Sequence, residues 1–579
     1  MSDSNAPAPA AALVSQETEV TAGKVEMLVS VRSAGNLNPA ARTVSVLDTL
    51  NAMPDVEIVR SIKASGSALF SAGPAGNNGD VIVARTTMDR LNALQVSAAQ
   101  TTDVVIEINH RLIHLGAIAP QLNGPPPTGL SPGVSTSLLK FKILGDQNQP
   151  LAKVTIMIWG TGFPVSAETD TQGTVDITFT GTADTVQAVY VKPFADFWER
   201  FIWNPVLDVT GVNKIVLQPL AAFQPANFGQ SPFLGWGQRA MGLDQNAASG
   251  LTGKGVRIGI VDSGCDTSHP ALSHITIGRD YTNLDSNGNP SDRTWTNDTV
   301  SHGTHCAGVI AGNGLKGIRG FAPSAEVHIL KLFEGGAFDS LIKALKYAID
   351  NQLHVINCSL GGTETSEIVT NWMQQARQAG VAVIVAAGNS SGPVQFPGSL
   401  PSVLCVSAVG RQGEFPLDTY HAQTLVQNAI GVNGYFGAKF SCFGPQVKVT
   451  GPGVAIISSV PGGGYAAWDG TSMAAPHLTG LTALIAAHHP AFANIVVRDA
   501  AWVDRLFQTV LTASTDLGVN VALEGAGLPS LINLFGAQPV AGPTLAVAPS
   551  VPQGLEASIR QSVVAAIQQF TASHNQPLH

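Results

Sequence analysis

From residue 24 onward the apolar positions fall into a short, ordered series of periods. Residues 25–31 alternate as a strand, 43–52 cycle as an amphipathic helix, and 56–62 and 80–83 read as strands. A helix at 87–94 and a last alternating strand at 104–109 complete an α+β unit, residues 24–115. Residues 1–23 are polar, rich in Ala and Pro and without period, and are expected to be a flexible leader. A Pro/Gly linker follows at 120–132. Over residues 133–220 the pattern shifts to short β-rich runs at 138–143, 153–159, 174–179 and 188–191. The turns Gly145-Asp-Gln-Asn and Asp170-Thr-Gln-Gly lie between them, so this stretch predicts a β-sandwich. Its aromatic cluster, Phe194, Phe197, Trp198, Phe201 and Trp203, reads as core or interdomain contact in preference to a binding surface.

A second linker at 221–232 leads into an alternating α/β part, residues 229–536. The runs 256–261, 327–333, 355–359, 381–386 and 403–408 are largely apolar, as strands covered on both faces must be. Helical periods at 305–312, 340–351, 367–379 and 473–488 separate or follow them, which predicts a parallel, doubly wound sheet. Residues 537–554 are a Pro/Ala linker. Within 555–579, residues 557–570 form an amphipathic helical pattern, expected to pack on the chain's own body.

Composition narrows the function. With 579 residues, 44% hydrophobic and 12% charged, the chain can fill several cores. A net charge of −9 argues against a nucleic-acid partner. No run approaches the roughly 18 apolar residues of a membrane span. Residues 1–23 lack a basic segment followed by an apolar one, so no secretory signal peptide is expected. The five cysteines lie between Cys265 and Cys442, an odd set in one domain that reads as buried free thiols. The expected location is the cytoplasm, or outside the cell by a route that uses no secretory signal.

Four stretches carry chemistry, each ambiguous alone. Asp262 ends a predicted parallel strand, where ligands collect in such sheets. His302 opens a helix between Ser301 and Gly303; a surface or core histidine, or a metal ligand paired with His305, would look the same. Known zinc spacings do not fit. Asn389, after Ala386-Ala387-Gly388, ends another strand and could donate to an oxyanion or simply close a turn. Ser472, in Asp469-Gly-Thr-Ser-Met-Ala-Ala-Pro, could cap its helix or act as a nucleophile. All four sit where a strand ends or a helix begins, and their agreement favours nucleophilic catalysis.

The stretch of about 236–535 resembles the catalytic domain of subtilisin-family serine proteases. The matching residues are Val261-Asp262-Ser263-Gly264 with His269-Pro270, His302-Gly-Thr-His305, and Gly470-Thr-Ser472-Met-Ala-Ala-Pro476. The resemblance implies a three-layer α/β fold and a triad of Asp262, His302 and Ser472. It places Asn389 and the Ser472 N–H in the oxyanion hole. Cys306 resembles the free cysteine of the proteinase-K-like and thermitase-like branches, a packing residue beneath the histidine. Ser359, Leu360, Gly361 and Gly362 resemble the edge that pairs with an extended substrate. Ala386, Ala387 and Gly388 would wall the first specificity pocket. Gln395 stands where many relatives have Gly, implying a shallower, more polar pocket that disfavours large aromatic side chains. Residues 411–436 look inserted. The family implies no cofactor for the chemistry but a recurrent stabilising calcium, for which Asp280, Asp285, Asn287, Asn289 and Asp292 are the oxygen-rich set; a polar turn explains them equally.

Residues 24–115 have the size and element order of the family's inhibitory propeptides. The expected protein is therefore a serine endopeptidase acting on proteins or peptides, with its own N-terminal domain as intramolecular inhibitor and no nucleic-acid or membrane partner. The cuts that would free it are expected in the linkers at 120–132 or 221–232. The alternatives are a catalytically silent, protease-like scaffold, or an esterase or transpeptidase using the same groups.

Overall fold

A computed structural model describes residues 23–536, except 33–38, 65–79, 102, 116–135, 161–162, 224–227, 229–231, 247–249, 286–287, 316 and 494. The predicted leader, the linker at 120–132 and the helix at 557–570 lie outside the described residues. Among the described residues, no helix is long and apolar enough to cross a membrane.

The N-terminal unit is a four-stranded antiparallel sheet. Its spatial order is Glu57–Ile62, Val81–Thr87, Lys24–Val31, Val104–Ile108. Alternation along Lys24–Val31 explains its two buried faces. Val25, Met27 and Val29 pack with Leu50 and Leu91 of the unit's own helices, Pro39–Asn51 and Met88–Thr101. Leu28, with Val83 and Val105, instead joins Leu341 and Leu345 of the α/β domain. Met88–Thr101 runs well past the predicted end because Asn92 to Thr101 carries good helix formers but only a weak apolar stripe.

The predicted sandwich is present, and it has three more strands than its period revealed. One sheet orders Arg200–Trp203, Ala188–Lys192, Thr155–Trp159, Val165–Glu168; the other orders Val212–Val216, Thr136–Leu144, Thr174–Thr180. Val165–Glu168, Arg200–Trp203 and Val212–Val216 are at most five residues long and largely solvent-facing, so they carry little alternation. Phe141, Ile143, Ile156 and Val189 fill the space between the sheets. The aromatic cluster is an interdomain contact at its centre: Trp198 and Phe201 are buried, whereas Phe194 and Trp203 remain exposed.

The α/β domain is built on a ten-stranded sheet. Its central strands, Glu326–Lys331, Arg257–Asp262, Val355–Cys358, Ala382–Ala386 and Leu404–Arg411, are parallel neighbours in that order. Their side chains are almost all buried, which is why they read as apolar runs. The segment suspected of being inserted adds Leu425–Ile430, which pairs with Tyr435–Ala438 at one edge. The five cysteines are buried and free.

Candidate active site

Asp262 ends its strand fully buried, and its Oδ1 accepts hydrogen bonds from His302 Nδ1 and from the Ser263 N–H, both at 2.7 Å. His302 is the first residue of the helix His302–Ala311. That helix start is held by Asp298, a buried carboxylate that sequence reasoning missed. It accepts from the Ser301 and Thr304 N–H groups and from the Ser263 and Thr304 hydroxyls. Gly303 is required by a close approach: a Cβ there would lie 2.1 Å from the Gly264 carbonyl oxygen. Burial lowers the His302 pKa, but the Asp262 carboxylate outweighs it, so His302 is raised above its usual value. Its Nε2 is buried and has no hydrogen-bond partner among the described residues.

Ser472 lies in the first turn of Thr471–His488, fully buried. Its hydroxyl donates to the Ser359 carbonyl at 3.2 Å, and its own carbonyl accepts from the Ser359 hydroxyl at 3.1 Å. Asn389 is oriented by Thr471, whose N–H and hydroxyl donate to Oδ1 at 2.9 and 2.8 Å. That leaves Nδ2 to point into the cleft, where it donates to the Leu115 carbonyl oxygen at 3.0 Å.

Leu115 belongs to the end of the N-terminal unit. Ile113–His114 pairs antiparallel with Leu360–Gly361, and the Leu115 N–H donates to the Ser359 carbonyl at 3.3 Å. The predicted substrate edge is therefore occupied by the chain itself through Ser359, Leu360 and Gly361. Gly362 turns away to bridge Phe396. A methyl group on Gly361 would sit 3.2 Å from the Phe396 carbonyl oxygen, 3.3 Å from Leu115 Cδ1 and 3.5 Å from Gln395 Oε1, so the Leu115 side chain lies close against Gly361. Ala386 ends its strand, the Ala387 carbonyl accepts from the Gln395 N–H, and the Gln395 side chain lies against Gly388. His114 faces His302 at 5.5 Å between ring centroids; burial first, then His302, hold its pKa down at about 4, against the pull of Asp262. Neither His114 nor Leu115 had a sequence signal, since a two-residue strand has no period. Trp468 was missed too; it stacks on His305 at 4.6 Å and lies nearly parallel to His302 at 6.5 Å.

The suggested calcium residues do not fit a cation. Asp280 is buried, with Oδ1 bonded to Thr282 and Oδ2 to Thr294, and Lys331 Nζ lies 3.6 Å away. Asp285 spends both oxygens on Asn289 within one turn. Asp292 is exposed beside Arg293, and Asn287 lies outside the described residues. Their oxygens close turns and pair with a lysine, which a bound cation would have to displace. Among the described residues, one group of potential metal ligands converges: Asp262, His302 and Cys306. Burial pushes the Cys306 thiol well up, so it stays protonated, and it donates to the Ser472 carbonyl instead.

With this geometry in view, the comparisons with known proteins are specific. The profile of the subtilase family matches residues 253–528. Over 261 residues the chain is 35% identical to the subtilisin of Bacillus pumilus, covering 44% of this chain and 84% of that protein. It is 33% identical over 255 residues to subtilisin Savinase of Lederbergia lenta, covering 43% and 83%. It is 36% identical over 261 residues to subtilisin E of Bacillus subtilis (strain 168), covering 44% of this chain but 61% of that relative, less than two thirds of its length. The chain belongs to the subtilase family.

Proposed function

We propose that this protein is a serine endopeptidase made as a precursor that its own N-terminal domain inhibits. In this reading Ser472 Oγ attacks a peptide carbonyl carbon and its proton passes to His302 Nε2. Asp262 holds the other ring nitrogen as N–H and stabilises the imidazolium. The developing oxyanion takes hydrogen bonds from Asn389 Nδ2 and the Ser472 N–H. His302 then protonates the leaving amine, and water releases the acyl group by the same steps in reverse order.

One observation carries the precursor reading: the Leu115 carbonyl oxygen already sits on Asn389 Nδ2, while its strand fills the substrate edge. The residues that would hold a foreign substrate hold the end of the N-terminal domain. The reading puts the cut after Leu115, upstream of both linkers that composition suggests. The five buried free thiols support a reducing compartment for folding.

The test is intact-mass analysis of the full chain beside Ser472→Ala, with a fluorophosphonate probe for the reactive serine. The wild type should separate after Leu115 and take up the probe, and the variant should do neither. A wild type that stays whole and inert to the probe overturns the protease reading in favour of a silent scaffold. Probe uptake with a cut elsewhere overturns only the assignment of Leu115.

A further inference from the structure

The β-sandwich, which the family match does not reach, meets the segment 411–436 and the nucleophile turn at one buried place. Glu199 of the sandwich is buried, 8% exposed, and accepts from the Tyr190 hydroxyl on one oxygen and from the Tyr420 N–H at 3.0 Å on the other. Its Oε1 lies 3.7 Å from His421 Nε2. His421 Nδ1 in turn donates to Asp469 Oδ1 at 2.7 Å. Asp469, 4% exposed, stands three residues before Ser472, and the same oxygen accepts from the Ala455 N–H at 2.7 Å. Lys192, also of the sandwich, holds its ammonium 5.7 Å from the Trp468 ring. That ring is the one stacked beside His305 and His302.

Glu199 and Asp469 face the two ring nitrogens of His421, while burial raises the Glu199 pKa and lowers that of Lys192. Burial of such a set is costly unless every member is paired, and removing one partner leaves the others uncompensated. Phe415 and Trp198 close the site around the His421 ring. The nucleophile turn Asp469-Gly470-Thr471-Ser472 is therefore tied at its first residue to a second domain. The Gly470 N–H donates to Gly453 at 2.8 Å, and Thr471 donates to Asn389, so the tie at Asp469 is one of several that fix the turn.

We propose that Glu199, His421 and Asp469 are positioning residues for Ser472, and that the sandwich is thereby part of the working enzyme, retained after the cut. This rests on the protease reading above. Burial alone would lower the His421 pKa; Asp469 and then Glu199 raise it above its usual value, while Lys192 opposes them. Tyr190 and Tyr420 are the other titratable groups at the site. With a carboxylate at each ring nitrogen, His421 holds its second proton to a higher pH than a free imidazole does.

Glu199→Gln tests this, because the amide oxygen can still accept from the Tyr420 N–H while its NH2 donates to the Tyr190 oxygen, and the charge is lost. In the matured full chain, kcat should fall about tenfold with KM nearly unchanged, since a small misplacement of a nucleophile costs turnover before binding. His421 would lose its proton at a lower pH, so the alkaline fall of kcat should begin earlier than in wild type. The acid limb, set by His302, should not move. Unchanged kcat, KM and alkaline limb in a variant with a lowered Tm would overturn the proposal and leave Glu199 a structural residue. If Glu199→Gln does not fold, Tyr190→Phe is read in the same way: a several-fold kcat loss at constant KM supports the tie, and none overturns it. A wild type that neither turns over peptide nor takes up the fluorophosphonate would instead condemn the protease reading.

Discussion

At the scale of single residues, Asn389 is the clearest case of a side chain aimed before the reaction begins. Thr471 occupies its oxygen, so the amide nitrogen cannot flip away from the cleft. Asn389→Ala should lower kcat by about 10²–10³ with little change in KM; that range comes from removing the equivalent donor in a subtilisin and is carried over here. Steady-state kinetics of the matured variant checks it. Gln395 makes a second prediction. Its side chain lies against Gly388 and, with the Leu115 side chain, beside Gly361; on the protease reading this leaves room for a leucine but not a ring before the scissile bond unless the Gln395 amide moves. A peptide-library profile should show Leu or Met before the scissile bond, favoured over Phe and Tyr, and Gln395→Gly should reverse that order. A wild-type profile led by Phe or Tyr would refute the pocket described here.

At the scale of elements, the N-terminal sheet holds its position through polar anchors around an apolar face. Glu107 accepts from the Ser366 hydroxyl and from the Glu367 and Ile368 N–H groups, capping the helix Glu367–Gln378 from another domain. Arg60 pairs with the buried Asp339 at 2.6 Å, and Asn109 exchanges two hydrogen bonds with the same residue. His114 makes this docking sensitive to acid. Docked, its pKa is about 4; released, it returns toward 6.5. The released form therefore binds the proton more tightly, and docking is fully favoured above pH 6.5 and weakens as pH falls toward 4. Glu107, raised mainly by burial, works the other way near its own range, so the comparison needs a variant. Cut precursor held at pH 5 and then assayed at pH 8 should show about tenfold more released activity than a sample held at pH 7.5. His114→Gln should erase that difference.

Much of this was legible in the order of residues, for identifiable reasons. The central strands are buried on both faces, so their apolar runs have one reading. Asp262, His302 and Ser472 sit in short motifs whose glycines and small residues answer to close backbone approach, as Gly303 against Gly264 shows. The occupied substrate edge was not legible, because His114 and Leu115 gain meaning from pairing with residues about 245 positions later. The set around Asp280 and Asp285 stayed open for a different reason: oxygen-rich composition serves a closed turn as well as a cation, and the described hydrogen bonds favour the turn.

At the scale of the whole molecule, a cut after Leu115 would free the N-terminal sheet but leave the sandwich on the protease, where Trp198 and Leu220 carry it into the α/β interior beside its own separate core. Trp198 is 1% exposed, donates from Nε1 to the Leu220 carbonyl at 3.3 Å, and meets the His421 ring edge-on at 5.8 Å. It belongs to the same core as Phe233, Trp236 and Leu478, so the sandwich has no separate unfolding boundary there. The Asp196 N–H donates to the Tyr465 carbonyl and the Asp196 carboxylate accepts from the Tyr465 N–H, which continues the contact. Calorimetry of the matured protein, held inactive by a covalent serine inhibitor, should therefore show the sandwich and the α/β domain melting in one transition. Trp198→Ala removes a large ring from that shared interior and should cost about 3–5 kcal/mol. It should also split the trace in two or lower the single transition. Two independent transitions in the wild type, with the variant shifting only the smaller one, would mean that the sandwich is a passenger and would remove the structural basis for its hold on the nucleophile turn.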